Sequence, residues 1–204
     1  MNKYYTGKNE QQTINPITEE HKKAFAETLD RYNVMGTFIF DGGSKITRGA
    51  ALGICRKFLN SVDITYFGNQ AKRRNLRIER DVFVETKGNK SDDWVHFHIF
   101  MQSIGNTLDF SRGIKKLWKQ ANQPYQVGVR LDWIETPIEP WENDASAYYG
   151  WKQDNKELGN NTWIPELSHT NNNSHNSHLY QTIKEKGIMT GAKDRLQKLT
   201  TIHG

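Results

Sequence analysis

Helical and strand periodicities alternate along this chain in an order that predicts an α+β fold. Two stretches with helical spacing are each set between alternating stretches, and a turn-rich segment joins two of the strands directly. Asn15-Pro16 followed by ITEEHKKAFAETLDRYN reads as a helix start, with acidic residues in the first turn and apolar positions at Phe25, Leu29 and Tyr32. Met35 to Asp41 is a short strand ended by Gly42-Gly43. TRGAALGICRKFLNSVDITYFG places Leu52, Cys55, Leu59 and Val62 on one side of a helix. Arg77 to Thr86 and Val95 to Ser103, separated by KGNKSDD, form a hairpin. Another helix, TLDFSRGIKKLWKQ, gathers Phe110, Ile114, Leu117 and Trp118, and YQVGVRLDWIE then alternates as a fourth strand with Val127, Val129, Leu131 and Trp133 on one face. Asn143-Asp144 can cap a last helix, ASAYYGWKQ.

From Met35 to Glu135 this order is βαββαβ, the ferredoxin-like or RRM-like antiparallel sheet, with helices on one face and the other open. The final helix, directly after the fourth strand, can lie across that open face and carry its tyrosines there. Residues 1–34 read as an N-terminal segment and helix, 35–153 as the core, and 154–204 as a polar linker with a helical extension. The 204 residues fit one domain, and 9 Phe, 8 Tyr and 6 Trp supply a core although only 35% of residues are hydrophobic. No run of 18 apolar residues and no apolar leader occur, so a soluble cytoplasmic protein without a membrane partner is expected. The single cysteine, Cys55, excludes an internal disulfide and a multi-cysteine zinc site, so a metal must be held by His and carboxylates.

The net charge of +5 is concentrated. Between Gly43 and Arg80 stand nine Lys and Arg residues against Asp63 and Glu79, and Lys72, Arg73, Arg74 and Arg77 are candidates for nucleic-acid backbone contacts. A solvated basic face is the plain alternative.

Chemistry is expected on the open face. Period-two alternation in VHFHIFM sends Phe97, Ile99 and Met101 toward the helices and His96, His98 and Phe100 away from them. Two such imidazoles can reach one divalent ion, and Glu85 shares their face if Val82 and Val84 point to the core. Asp81 and Glu79 are reserve ligands. A His, His, Glu set with open positions suits Mn²⁺ or Mg²⁺ better than structural zinc, which takes four closed ligands; a sheet pair of histidines without metal is the bland alternative. On the last helix Tyr149 and Lys152 stand at i and i+3, and a tyrosine over a metal site is a nucleophile candidate.

Taken together, His96-Phe97-His98, the Glu85 of FVET and Tyr149-Gly150-Trp151-Lys152 resemble the HUH endonucleases, within them the single-tyrosine rolling-circle replication initiators. The likeness spans roughly Met35 to Lys152, and the tyrosine lies C-terminal to the histidines, as in initiators and small single-strand transposases. Tyr148, with a YxxxK spacing to Lys152, is the alternative nucleophile. The resemblance implies metal ligation by His96, His98 and Glu85, attack by the tyrosine on one phosphodiester of single-stranded or hairpin DNA, and a 5′-phosphotyrosine that a later 3′-hydroxyl can resolve. Lys152 would stabilise the phenolate or the transition-state charge. Arg130 and Asp132, on the parity opposite to the apolar set of the fourth strand, would border the site, Arg130 as a further nucleic-acid contact, with plain surface residues as the alternative. The element served would be a plasmid, phage or other mobile element in a prokaryotic host or virus. With no GxxxxGK[ST] loop in the chain, unwinding would come from a host helicase, supercoiling or a further part of the protein. A transposase of the same chemistry, a metal-dependent phosphodiesterase that activates water, and a non-catalytic RRM-like nucleic-acid-binding module are the rival readings. His169, His175 and His178, in an Asn/Ser-rich stretch, read as part of a flexible polar linker.

Overall fold

The computed structural model describes residues 31–40, 46–86, 95–121, 129–130, 163–171, 180–183 and 195. In chain order the elements are β1 (Val34–Ile39), α1 (Arg48–Phe67), α2 (Asn69–Arg73), β2 (Arg80–Thr86), β3 (Val95–Met101), α3 (Thr107–Ala121) and β4 (Val129–Arg130). The fold is a mixed α+β structure around an antiparallel sheet of order β2-β3-β1-β4, so β3 lies between β1 and β2. The predicted N-terminal helix up to Asp30, most of the fourth strand and the helix ASAYYGWKQ lie outside the described residues. Among these residues no helix is long and apolar enough to cross a membrane.

Local sequence sets the element ends. Thr47 caps α1, its Oγ1 accepting from the Ala50 amide at 3.3 Å. Gly68 closes α1, with φ at +56° and its amide donating to the Ile64 carbonyl, a backbone conformation that glycine alone adopts cheaply. Asn106 Oδ1 accepts from the Asp109 amide at the start of α3. The strand predicted from Arg77 begins only at Arg80: before it the Arg77 side chain bonds to Asn75 and Asp63 and the Ile78 amide donates to Asp63, while the Glu79 carbonyl accepts from the Gln102 amide just past β3 and its carboxylate from the Asn171 amide. Tyr32 and Asn33, predicted as the last helical residues, are not helical and lead into β1.

The helical repeats bury Cys55, Leu59 and Val62 from α1, where the predicted Leu52 is only partly buried against the core, and Phe110, Ile114, Leu117 and Trp118 from α3. Trp118 stands edge-on to Phe38 of β1 and Phe58 of α1, with ring centroids 5.1 and 5.2 Å away, and Phe38 and Phe58 meet at 5.2 Å. Val82, Val84, Phe97, Ile99 and Met101 join the same core. Pinning Phe38 into it turns Thr37, its neighbour on β1, to the other face.

That other face departs from the expectation of an open surface. Phe83, Phe100 and Tyr32 are almost wholly buried, with Phe100 against Phe83 at 5.9 Å and against Tyr32 at 6.3 Å. Aromatic side chains at alternate positions of β2 and β3 gain more by packing together than by facing water.

Nor is 163–171 a flexible polar linker. The His169 and Arg80 backbones exchange hydrogen bonds of 2.8 and 2.9 Å, the Ile164 amide donates to the Val82 carbonyl, and the Ser168 hydroxyl accepts from the Val82 amide. Ile164 and Leu167 enter the core. The segment thereby occupies the outer edge of β2, which would otherwise present unpaired backbone groups.

Candidate metal centre

The register between β2 and β3 decides which side chains meet. Glu85 pairs with His96, Phe83 with His98 and Asp81 with Phe100. On the other side of β3, Ile39 pairs with His96 and Thr37 with His98, and Arg130 of β4 pairs with Thr37. Directly paired residues of antiparallel strands project to one face. Glu85, His96 and His98 therefore share a face, as the alternation and the apolar Val82 and Val84 implied.

Their donor atoms converge. Glu85 Oε2 lies 3.0 Å from His96 Nε2 and 2.9 Å from His98 Nε2, and the two imidazoles stand nearly perpendicular with centroids 5.0 Å apart. One ligand atom from each of the three residues lies within 4.8 Å of the other two, a cluster able to hold a metal ion. Around a cation with metal–ligand bonds of about 2.1 Å, adjacent octahedral ligands lie about 3 Å apart. The nitrogen–oxygen separations match that edge. Two imidazoles and one carboxylate are also the donor types that borderline divalent cations take, so the residues present fit such an ion. Three protein donors leave further coordination positions.

Burial is graded along both strands. The His98 side chain is 3% exposed, Glu85 14% and His96 19%. Further along, Phe100 and Phe83 are sealed. Asp81 closes that end: its Oδ2 accepts from the Tyr32 hydroxyl at 2.7 Å and its Oδ1 from Trp163 Nε1–H at 3.1 Å. Burial, the nearby Asp81 charge and this hydrogen bond all push the Tyr32 phenol above its ordinary range. Both reserve carboxylates are thus committed elsewhere, Asp81 to Tyr32 and Trp163 and Glu79 to Asn171. Glu85 is the carboxylate that the fold brings to the histidines.

Behind His98 stands a residue that sequence patterning alone did not single out. Thr37 Oγ1 lies 3.2 Å from His98 Nδ1, so the imidazole is held at both nitrogens. Strand parity could have found it, since Thr37 is the polar residue between Gly36 and Phe38 in an otherwise apolar strand.

The basic candidates divide. Lys72, Arg73 and Arg74 are exposed in α2 and at its end. Arg77 is instead bound into the fold, 26% exposed, with Nη1 3.2 Å from Asp63 Oδ2 and 3.4 Å from Asn60 Oδ1 and Nε 3.1 Å from Asn75 Oδ1. Arg130 is placed by its backbone pairing beside Thr37. Tyr148, Tyr149 and Lys152, with His175 and His178, lie outside the described residues. His169 does not join the cluster; its Nε2 lies 3.0 Å from Asn171 Oδ1 beside β2. No family model, curated protein or solved structure matches the chain.

Proposed function

We propose that this chain is a metal-dependent DNA nicking and joining enzyme of the HUH type, using a single tyrosine to initiate rolling-circle replication of a plasmid, phage or related mobile element. The observation that carries the reading is the convergence of Glu85, His96 and His98 on one face of an antiparallel sheet. The strand order, with β3 between β1 and β2, supports a ferredoxin-like or RRM-like topology for the core. Mn²⁺ is the favoured ion, because two imidazole donors suit it better than Mg²⁺, which prefers oxygen. When bound, it supplies Lewis acidity toward non-bridging phosphate oxygens.

The remaining chemistry belongs to the chain. Tyr149 Oη attacks phosphorus in line, the bond to the 3′-oxygen breaks, the phenolic proton is lost and the departing 3′-oxygen takes one up. The products are a free 3′-hydroxyl and a 5′-phosphotyrosine. A phenol with pKa near 10 is mostly protonated at neutral pH, so Lys152 stabilises its anion or the charge developing on phosphate. Lys72, Arg73 and Arg74 contact the DNA backbone. An RRM-like binding module is the weaker reading, because Phe83 and Phe100, the strand aromatics on the histidine face, are buried and closed to base stacking.

The test is a denaturing gel of purified protein, Mn²⁺ and a 3′-labelled single-stranded DNA pool, the label marking the strand that stays linked. Wild type and Tyr148→Phe yield a denaturation-resistant adduct; Tyr149→Phe, His96→Ala and His98→Ala do not. Cleavage without any adduct would make the protein a phosphodiesterase that activates water. An adduct surviving the double Tyr148→Phe, Tyr149→Phe substitution would remove this pair from the mechanism.

A further inference from the structure

We infer that Thr37 is a positioning residue for the metal centre, its hydroxyl serving His98 Nδ1 as donor in the metal-free protein and as acceptor once Nε2 is given to a cation. The inference rests on the metal-binding part of the reading above and is independent of the tyrosine chemistry.

His98 is the deepest of the three ligands, and its ring orientation determines whether Nε2 points at the site. Among its contacts one stands at each ring nitrogen, Glu85 Oε2 at 2.9 Å from Nε2 and Thr37 Oγ1 at 3.2 Å from Nδ1. A carboxylate oxygen only accepts, so a hydrogen bond between Nε2 and Glu85 takes its proton from Nε2. In the tautomer protonated at Nε2 alone, Nδ1 is an acceptor and the threonine hydroxyl donates to it. A cation requires the Nε2 lone pair. One proton leaves Nε2 and one is taken up at Nδ1, so the ring carries a single proton before and after, and Nδ1–H now donates to Thr37 Oγ1. A hydroxyl can serve in both directions by rotating about its C–O bond, whereas lysine could only donate and a carboxylate only accept. Hydrogen bonds of this kind behind a ligating imidazole fix its tautomer and raise its affinity for the ion.

The location of Thr37 makes the assignment testable without disturbing the fold. It sits in β1, paired with His98, and its neighbour Phe38 is anchored by Trp118 and Phe58. Thr37→Val keeps the β-branched shape that suits a central strand and removes only the hydroxyl. Thr37→Ser keeps the hydroxyl, and Thr37→Ala repeats the deletion with a smaller side chain should valine impair folding.

The experiment is calorimetric titration of metal-free protein with Mn²⁺ in the absence of DNA, alongside thermal melting of each metal-free variant. Thr37→Val and Thr37→Ala should bind Mn²⁺ about tenfold or more weakly, within the 10- to 100-fold range of partners behind metal ligands. Thr37→Ser should remain within a few-fold of wild type, with the cooperative melt preserved. Wild-type affinity in the hydroxyl-deleted variants would overturn the role of Thr37 while leaving the metal centre standing. Equal weakening in Thr37→Ser would overturn it too, because the hydroxyl would then not be the active feature. A wild-type protein that binds no Mn²⁺ would overturn the metal centre and this inference together.

Discussion

Replacing Asp63 by alanine should destabilise the protein more than any change at its surface. Asp63 is fully buried on α1, and its carboxylate accepts from Arg80 Nη1 at 2.7 Å, Arg80 Nη2 at 3.1 Å, Arg77 Nη1 at 3.2 Å and the Ile78 amide at 2.9 Å. The Arg80 side chain is itself only 7% exposed, and its Nε donates to the Leu167 carbonyl at 2.9 Å. One carboxylate thus joins α1, the start of β2 and the docked segment 163–171. Deleting it leaves a buried guanidinium facing only carbonyl partners among these groups, and removing one member of such a pair costs about 3–5 kcal/mol. In a chain of this size each kcal/mol lowers the melting temperature by about 2–4 °C, so Asp63→Ala should melt about 6–20 °C below wild type in metal-free buffer. The double variant Asp63→Leu, Arg80→Met removes both charges and restores apolar volume, and should recover most of that stability. The reasoning fails if Asp63→Ala melts within a degree or two of wild type, or if the double variant is no more stable than the single one.

Two further expectations concern charge. Replacing Lys72 and Arg73 by alanine should leave the melt unchanged and flatten the log–log salt dependence of single-stranded DNA binding by about 0.7 for each phosphate left without its cation, as affinity measured at several salt concentrations would reveal; an unchanged slope would make α2 a solvated face. His169 is held below its usual pKa of 6.5, chiefly by burial, with Arg80 and Arg77 adding to the effect and its Asn171 partner and Asp63 opposing it. The unfolded chain therefore takes the proton first, the stability from the neutral ring is present above pH 6.5 and is lost as pH falls below it, and melts from pH 7.5 to 5 should decline less steeply for His169→Gln than for wild type.

Much of the sheet and of its site was legible because period-two patterning is strict where one face of a strand packs on helices. Val82, Val84, Phe97, Ile99 and Met101 fixed the inward parity, and His96, His98 and Glu85 followed from it without any knowledge of the turn between the strands. The burial of the opposite face was not legible, because alternation says which side chains share a face and is silent on what covers it. Phe83 and Phe100 were the available hint, since two large aromatics on one face of paired strands rarely both face water. Nor could local patterning show that Trp163 to Asn171 docks on β2, since the docking rests on backbone hydrogen bonds across more than 80 positions together with two apolar side chains, Ile164 and Leu167, in a stretch otherwise rich in polar residues. Asp63 and Arg80 reached each other by the same long-range route. In sequence, one looked like an ordinary helix charge and the other like part of a basic run.

The graded burial of the histidine face bears on how a substrate could approach it. At one end Tyr32 and Trp163 hold Asp81 between them, and Phe83 and Phe100 fill the space next to it. At the other end Glu85 and His96 keep a seventh or more of their side-chain surface in contact with solvent, while His98 between the two ends keeps almost none. Of the three ligands to one cation, His98 would be the buried one and Glu85 and His96 the two nearer solvent. A phosphodiester would have to arrive from the side of those two, and the nucleophile with it. The buried phenol of Tyr32 belongs to the sealed end and is hydrogen-bonded to a carboxylate there. On the proposed chemistry it is therefore a structural tyrosine, and the proposed nucleophile remains Tyr149, with Tyr148 as its alternative.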